Sequence, residues 1–113
     1  INRGGEKIFP REVEEVLLAD PDVTAAVVVG WDHEVLGQVP VAFLVVKDVD
    51  TAEGRERARE VVSRVQERCA QVLGRPKRPA AFHVVDRFPA GATGKVRRAA
   101  VHDDGAIYSV LSG

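Results

Sequence analysis

Sulfur and aromatic rings are scarce in this chain: of 113 residues one is cysteine, none is methionine and 5 % are aromatic. The single thiol, Cys69, excludes an internal disulfide framework, so the thiol count gives no argument for an oxidising compartment and a cytoplasmic home is the expectation. No apolar run approaches the ~18 residues a membrane span requires, and the opening INRGGEKIF lacks the apolar centre of a secretory signal. The absence of an initial methionine, on what reads as mid-protein sequence, suggests a piece of a longer polypeptide. Near the most basic stretch the only rings are Phe82 and Phe88, too few for a base-stacking platform, and nucleic acid is not an expected partner. His33, His83 and His102 show no ligand spacing, so no metal site is expected. Repeats and low-complexity segments are absent too.

What is present is apolar content of 45 %, enough over residues 1–113 to bury the core of one domain. Net charge is −1, but it is unevenly placed. Residues 1–74 carry 9 basic and 14 acidic side chains, whereas residues 75–98 carry 7 basic ones and only Asp86. A local excess of positive charge suits an anionic ligand such as a nucleotide, pyrophosphate or CoA, and it equally suits a solvated surface patch.

The apolar pattern predicts an α+β domain in the order α-β-β-α-β-α, preceded by a small hairpin around Arg3 to Ile8. In IFPREVEEVLLADPDV, Phe9, Val13, Val16 and Leu17 fall at helical spacing, with Pro10 in the first turn and Pro21 as the stop. VTAAVVVG (Val23 to Gly30) and VPVAFLVV (Val39 to Val46) are β-branched runs joined by the turn-rich WDHEVLGQ, hence adjacent antiparallel strands. Pro40 has no N–H to give a ladder and is expected at a strand start or an edge. From Ala58, the residues Val61, Val62, Val65, Cys69, Val72 and Leu73 recur on one helical face, with Gly74 as terminator and Cys69 as core filler. AAFHVVD reads as a third strand and VRRAAVHDD as a short final helix. The expected fold is therefore a small mixed sheet of about three strands covered by helices, with an N-terminal β-hairpin. Trp31, following a buried strand, is expected to pack.

Between the third strand and the last helix lies FPAGATGKVRR, with one lysine, Lys95, after a glycine-rich loop. A P-loop needs wider glycine spacing and a hydroxyl where Val96 stands. A biotinyl or lipoyl arm belongs to an all-β unit, at odds with two helical faces. A Schiff-base lysine needs apolar neighbours to lower its pKa, and those here are small and polar. There remains a charged ammonium on a flexible stem, either solvated or aimed at an anionic centre where charge develops.

Taken in order, RGGEKIFPREVEE, the aliphatic strand with its WDHEVLGQ turn, and FPAGATGKV resemble the C-terminal domain of the adenylate-forming (AMP-binding, acyl-CoA synthetase) superfamily. The resemblance covers most of residues 1–102. In the family, R-G-x-x-I-x-P-x-E-V/I-E matches Arg3 to Glu14, a P-D-x-x-x-G-E turn follows the strand within Val27 to Gln38, and L-P-x-x-x-x-G-K-I/V matches Phe88 to Val96. Trp31 stands where proline is frequent, Gln38 for glutamate, Phe88 for leucine, and Pro76 where tyrosine is common before Lys77.

The resemblance implies an AMP-forming acid-thiol ligase of which residues 1–113 are the mobile C-terminal domain, partnered by a large N-terminal domain of the same chain and inactive alone. Carboxylic acid, ATP with Mg2+ and CoA would be co-substrates, none held tightly by this domain, in a role such as fatty acid metabolism. Lys95 would be the catalytic residue of adenylation, positioned by Gly91, Thr93 and Gly94. Gly4 and Gly5, turn residues by composition, would also flank the pantetheine tunnel, with Arg3 a candidate contact for CoA phosphate. The Pro89–Lys95 pattern further implies acetylation of Lys95 by a protein lysine acetyltransferase. An aryl-acid ligase loading a carrier protein, or a freestanding nucleotide- or RNA-binding module, are the alternatives.

Overall fold

The computed structural model describes residues 1–86, 88 and 108–111. In chain order these form β1 (Asn2–Arg3), β2 (Glu6–Lys7), α1 (Pro10–Leu18), β3 (Val23–His33), β4 (Gly37–Val46), α2 (Ala52–Val72), a 3-10 turn (Arg75–Lys77), β5 (Ala81–Val84) and β6 (Tyr108–Leu111). The strands make one mixed sheet: β2-β1-β4-β5-β6, with β3 antiparallel on β4 and β5 parallel to β4. This is the expected α+β architecture with more strands than about three. The hairpin joins the sheet where Arg3 opposes Gly37, and β6, too short to stand out in the sequence, adds an antiparallel partner to β5. The predicted final helix VRRAAVHDD lies outside the described residues.

A β-bulge sets which faces are buried. Val23 opposes Val46 but Ala25 opposes Val45, so Thr24 is the extra residue, its hydroxyl donating to the Val45 carbonyl at 3.1 Å. Because side chains alternate along a strand, the insertion puts Val23 on the same face as Ala26 and Val28. That face, with Ala42, Leu44, Val46, Phe82 and Val84, packs against Val13 and Leu17 of α1 and Ala58, Val61, Val62, Val65 and Cys69 of α2. The opposite face carries a second cluster of Val27, Val29, Val41, Phe43, Ala81 and Val85, flanked by partly buried Trp31 and Phe88. Burial on both sides explains why β4 reads as an unbroken apolar run.

Several local expectations are corrected. Phe9 is the N-cap residue of α1 and 57 % exposed, its ring under the Lys7 ammonium at 5.5 Å; Ile8 takes the core position instead. Pro40 sits well inside β4, opposite Gly30. Its carbonyl accepts from the Ala80 N–H at 2.8 Å, and since a residue's N and C=O point to the same flank, its missing N–H falls where β5 has not yet begun. α2 starts at Ala52, six residues before the apolar face becomes visible at Ala58, because the Thr51 hydroxyl accepts from Gly54 N at 3.0 Å. Gly74 does not end α2 by a left-handed turn, having φ −61°. The Arg78 guanidinium instead donates to the Leu73 and Ala70 carbonyls at 3.0 and 2.9 Å, capping the helix from outside.

The outer edge of β3 is also covered. The Glu14 carboxylate accepts from the Val28 N–H at 3.0 Å, so α1 satisfies a strand donor that would otherwise invite another strand. Arg64 of α2 donates to Asp20 at 2.9 and 2.8 Å and to Asp22 at 2.7 Å, tying the α1–β3 turn to the second helix. That guanidinium holds the Asp20 carboxyl below its usual range, against the opposing effect of burial. No helix among the described residues is long and apolar enough to cross a membrane.

Candidate functional site

The β1–β2 hairpin turns on Gly4 (φ +56°) and Gly5 (φ +87°), two successive left-handed residues as a type I′ turn requires. The turn role of both glycines is thus explicit. They differ in surroundings. A Cβ on Gly4 would lie 3.5 Å from the Leu36 side chain, whereas one on Gly5 would meet nothing within 4 Å, leaving that backbone open to approach from outside.

The hairpin is held to the main sheet by a short run of bonds. Asn2 N donates to the Gln38 side-chain oxygen at 3.1 Å, and the Asn2 side-chain oxygen accepts from Gly5 N at 3.1 Å. Gly4 N donates to the Leu36 carbonyl at 2.7 Å. Leu36 belongs to the β3–β4 turn, where His33 Nδ1 accepts from Val35 N at 3.2 Å and Leu36 N at 3.0 Å. Gly37, at φ +85°, lets β4 pass within 3.4 Å (Cβ position to Asn2 O) of the hairpin backbone.

Beside the hairpin is a cleft of about 610 Å³, lined in part by Arg3, His33, Leu36, Arg75, Arg78 and Phe82. Its lining combines the cations Arg3, Arg75 and Arg78 with the apolar Leu36, Val39 and Phe82, a combination able to take an anionic group with an uncharged stem. The basic excess after residue 74 is partly committed elsewhere. Lys77 donates to Glu12 of α1 at 2.8 Å, a bond that raises its pKa, and Arg78 caps α2. Arg3 and Arg75 are the cleft's other cations.

Of the predicted site residues, Arg3 lines this cleft, while Gly4 and Gly5 form the turn that follows Arg3 in the hairpin and are not among the lining residues. Lys95, with Gly91, Thr93 and Gly94, lies outside the described residues, as do Arg87, Arg97 and Arg98. The chain runs toward them from β5, whose continuation bonds Val85 N to the Leu44 carbonyl at 2.8 Å and then packs Phe88 against the second cluster. Cys69 is 1 % exposed and burial pushes its thiol up to about 11, the inert state expected of a core filler. Among the described residues no three His, Cys, Asp or Glu side chains are grouped to hold a metal. His33, Asn2 and Gln38 were missed in the sequence. The first could be suspected from a histidine two residues before a turn amide, while the other pair depends on a register no local pattern carries.

Residues 12–95 match the family described as the AMP-binding enzyme C-terminal domain. The 2-succinylbenzoate-CoA ligase of Bacillus licheniformis is 43 % identical over 96 residues, 84 % of this chain and 18 % of that protein. A sulfoacetate-CoA ligase of Cupriavidus necator is 39 % identical over 98 residues, 87 % of this chain and again 18 % of the relative. Among solved structures, o-succinylbenzoate CoA synthetase from Bacillus subtilis in complex with its acyl-adenylate intermediate superposes with a TM-score of 0.65 at 36 % identity, covering 87 % of this chain and 18 % of that one. The chain thus spans about a fifth of the length of the curated relatives it matches.

Proposed function

Because the chain belongs to the AMP-binding enzyme C-terminal domain family, we propose that it is the mobile C-terminal domain of an AMP-forming acid-CoA ligase. The observation that carries this reading is the match of 84–87 % of the chain to proteins named as CoA ligases. In the first step a carboxylate oxygen of the acid attacks the α-phosphorus of Mg-ATP, the bond to pyrophosphate breaks, and acyl-AMP forms. In the second, the CoA thiol, giving up its proton, attacks the acyl carbonyl and AMP leaves. Lys95 serves the first step: its ammonium offsets the repulsion between carboxylate and polyphosphate, held in aim by Gly91, Thr93 and Gly94. The Gly4–Gly5 hairpin serves the second, its open backbone flanking the pantetheine arm while Arg3, on the cationic cleft, meets CoA phosphate. Since the two sets of residues act in different steps, the domain turns one face and then the other to the large N-terminal domain that binds acid and ATP. Residues 1–113 alone catalyse neither step.

Acetylation of Lys95 by a cytoplasmic protein lysine acetyltransferase would delete the ammonium and silence adenylation. Undiminished acyl-AMP formation by the fully acetylated enzyme would disprove that control. The function itself is tested on the full-length parent with a panel of acids, ATP, and either CoA or a carrier protein as acceptor. Acid-dependent pyrophosphate release followed by CoA-dependent AMP release is the expected result. Transfer to the carrier protein alone would identify a carrier-loading ligase, and no acid-dependent pyrophosphate release would overturn the proposal.

A further inference from the structure

We propose that His33 is a positioning residue for thioester formation: its neutral Nδ1 holds the β3–β4 turn that in turn holds the Gly4–Gly5 hairpin, so the second step weakens on acidification. The inference rests on the reading above that the hairpin serves the second step. Two amides, Val35 N and Leu36 N, converge on Nδ1 at 3.2 and 3.0 Å. An imidazole nitrogen accepts them only while it carries no proton, which assigns the proton of the neutral ring to Nε2. The same Leu36 whose N–H is fixed by His33 presents its C=O to Gly4 N at 2.7 Å, and its side chain lies 3.5 Å from where a Gly4 Cβ would be. Thus the imidazole, the turn and the first left-handed glycine form one continuous string. Protonation places an N–H against two N–H donors, and the turn must open or shift.

The hairpin's other ties to β4, through Asn2 with Gln38 and the Arg3–Gly37 register, do not involve the imidazole, so loosening rather than detachment follows. His33 is exposed, with charged and titratable groups on the cleft side and along its own strand. Arg3 from β1, Arg75 and Arg78 from the segment after α2, and Cys69 from α2 share the cleft with it, while Asp32 and Glu34 adjoin it in the chain. Arginine keeps its charge throughout the range from about pH 5 to about pH 8 and carboxylates ordinarily stay ionised there, so an acid limb that His33→Asn removes belongs to the imidazole.

The test uses the full-length parent as wild type, His33→Ala, His33→Asn and Gly5→Leu, with adenylation and thioester formation from supplied acyl-adenylate and CoA assayed separately. Rates are followed from about pH 5 to about pH 8, with amide hydrogen exchange at Gly4, Val35 and Leu36. His33→Ala should slow thioester formation about tenfold at the upper pH and leave adenylation unchanged, with faster exchange at these amides. His33→Asn, whose side-chain oxygen accepts at every pH in the window, should restore the rate and remove the acid limb seen in wild type. An acid limb persisting in His33→Asn, or unaltered exchange in His33→Ala, overturns the proposal. If exchange rises but only Gly5→Leu slows the second step, the positioning role is refuted and the hairpin's role stands. If neither variant slows it, the hairpin reading falls and the proposal with it.

Discussion

Gly54→Ala in the first turn of α2 separates close packing from helix propensity by sign. A Cβ there would lie 1.8 Å from the Asp48 carbonyl oxygen and 2.3 Å from its carbon, both backbone, where real contacts stay above 3.0 Å. The turn would have to retreat by about 1 Å or more. Asp48 is already at φ +58°, and its carbonyl accepts from Thr51 N at 2.9 Å and the Thr51 hydroxyl at 2.7 Å, so it moves only by weakening both. Two weakened hydrogen bonds at about 1 kcal/mol each and about 1–3 kcal/mol of overpacking oppose the ~1 kcal/mol that alanine gains over glycine in a helix. The expected net is a destabilisation of about 2–4 kcal/mol, read as a lower urea midpoint at unchanged slope. Gly74→Ala is the companion: at φ −61°, with Pro76 4.0 Å away, it should be neutral or stabilising by up to ~1 kcal/mol. A Gly54→Ala variant as stable as wild type, or more so, would refute the packing at the head of α2.

Arg64→Leu should cost about 1–2 kcal/mol near neutrality, the half-exposed guanidinium being partly screened while it serves two carboxylates. The Asp20 carboxyl is depressed chiefly by Arg64, so its contribution is present above the unfolded value of about 3.9 and is lost as pH falls through the lower folded value; stability curves of wild type and Arg64→Leu should converge below about pH 4. Parallel curves down to the lowest pH would contradict that assignment. Cys69, with its thiol pushed up to about 11, should resist alkylation at neutral pH until denaturant exposes it; rapid labelling of the folded protein would show the helix–sheet interface to be wrong. Gly5→Leu should slow thioester formation from supplied acyl-adenylate while sparing adenylation, and part of its stability loss, about 1 kcal/mol, belongs to the strained φ of +87° alone. Equal loss in both steps would assign Gly5 to the fold only.

Much of the fold was legible because its elements carry strong local patterns. The runs Val23 to Gly30 and Val39 to Val46 can only be buried strands, and the stripe from Ala58 to Cys69 can only be a helix face. What was illegible depends on contacts between distant residues. The head of α2 is polar and contains Gly54, a helix breaker by propensity that is required here by the Asp48 carbonyl. Thr24 looks like any strand residue, yet as the bulge it decides the inward face of Val23. Pro40 was expected at a margin because its tolerance inside β4 depends on where β5 begins. At the site, paired glycines announce a hairpin, but His33 organises a turn by an acceptor geometry that no spacing rule encodes. Lys95 lies outside the described residues, and its role rests on the ordered resemblance of its surroundings.

The most direct test of the account is Lys95→Ala in the full-length enzyme, with the two half-reactions assayed separately. The account predicts that acyl-AMP formation collapses, as expected for loss of one well-aimed cation worth on the order of 100-fold or more, while conversion of supplied acyl-AMP and CoA to thioester survives. Adenylation at the wild-type rate without that amine, or equal loss of both steps, would contradict it.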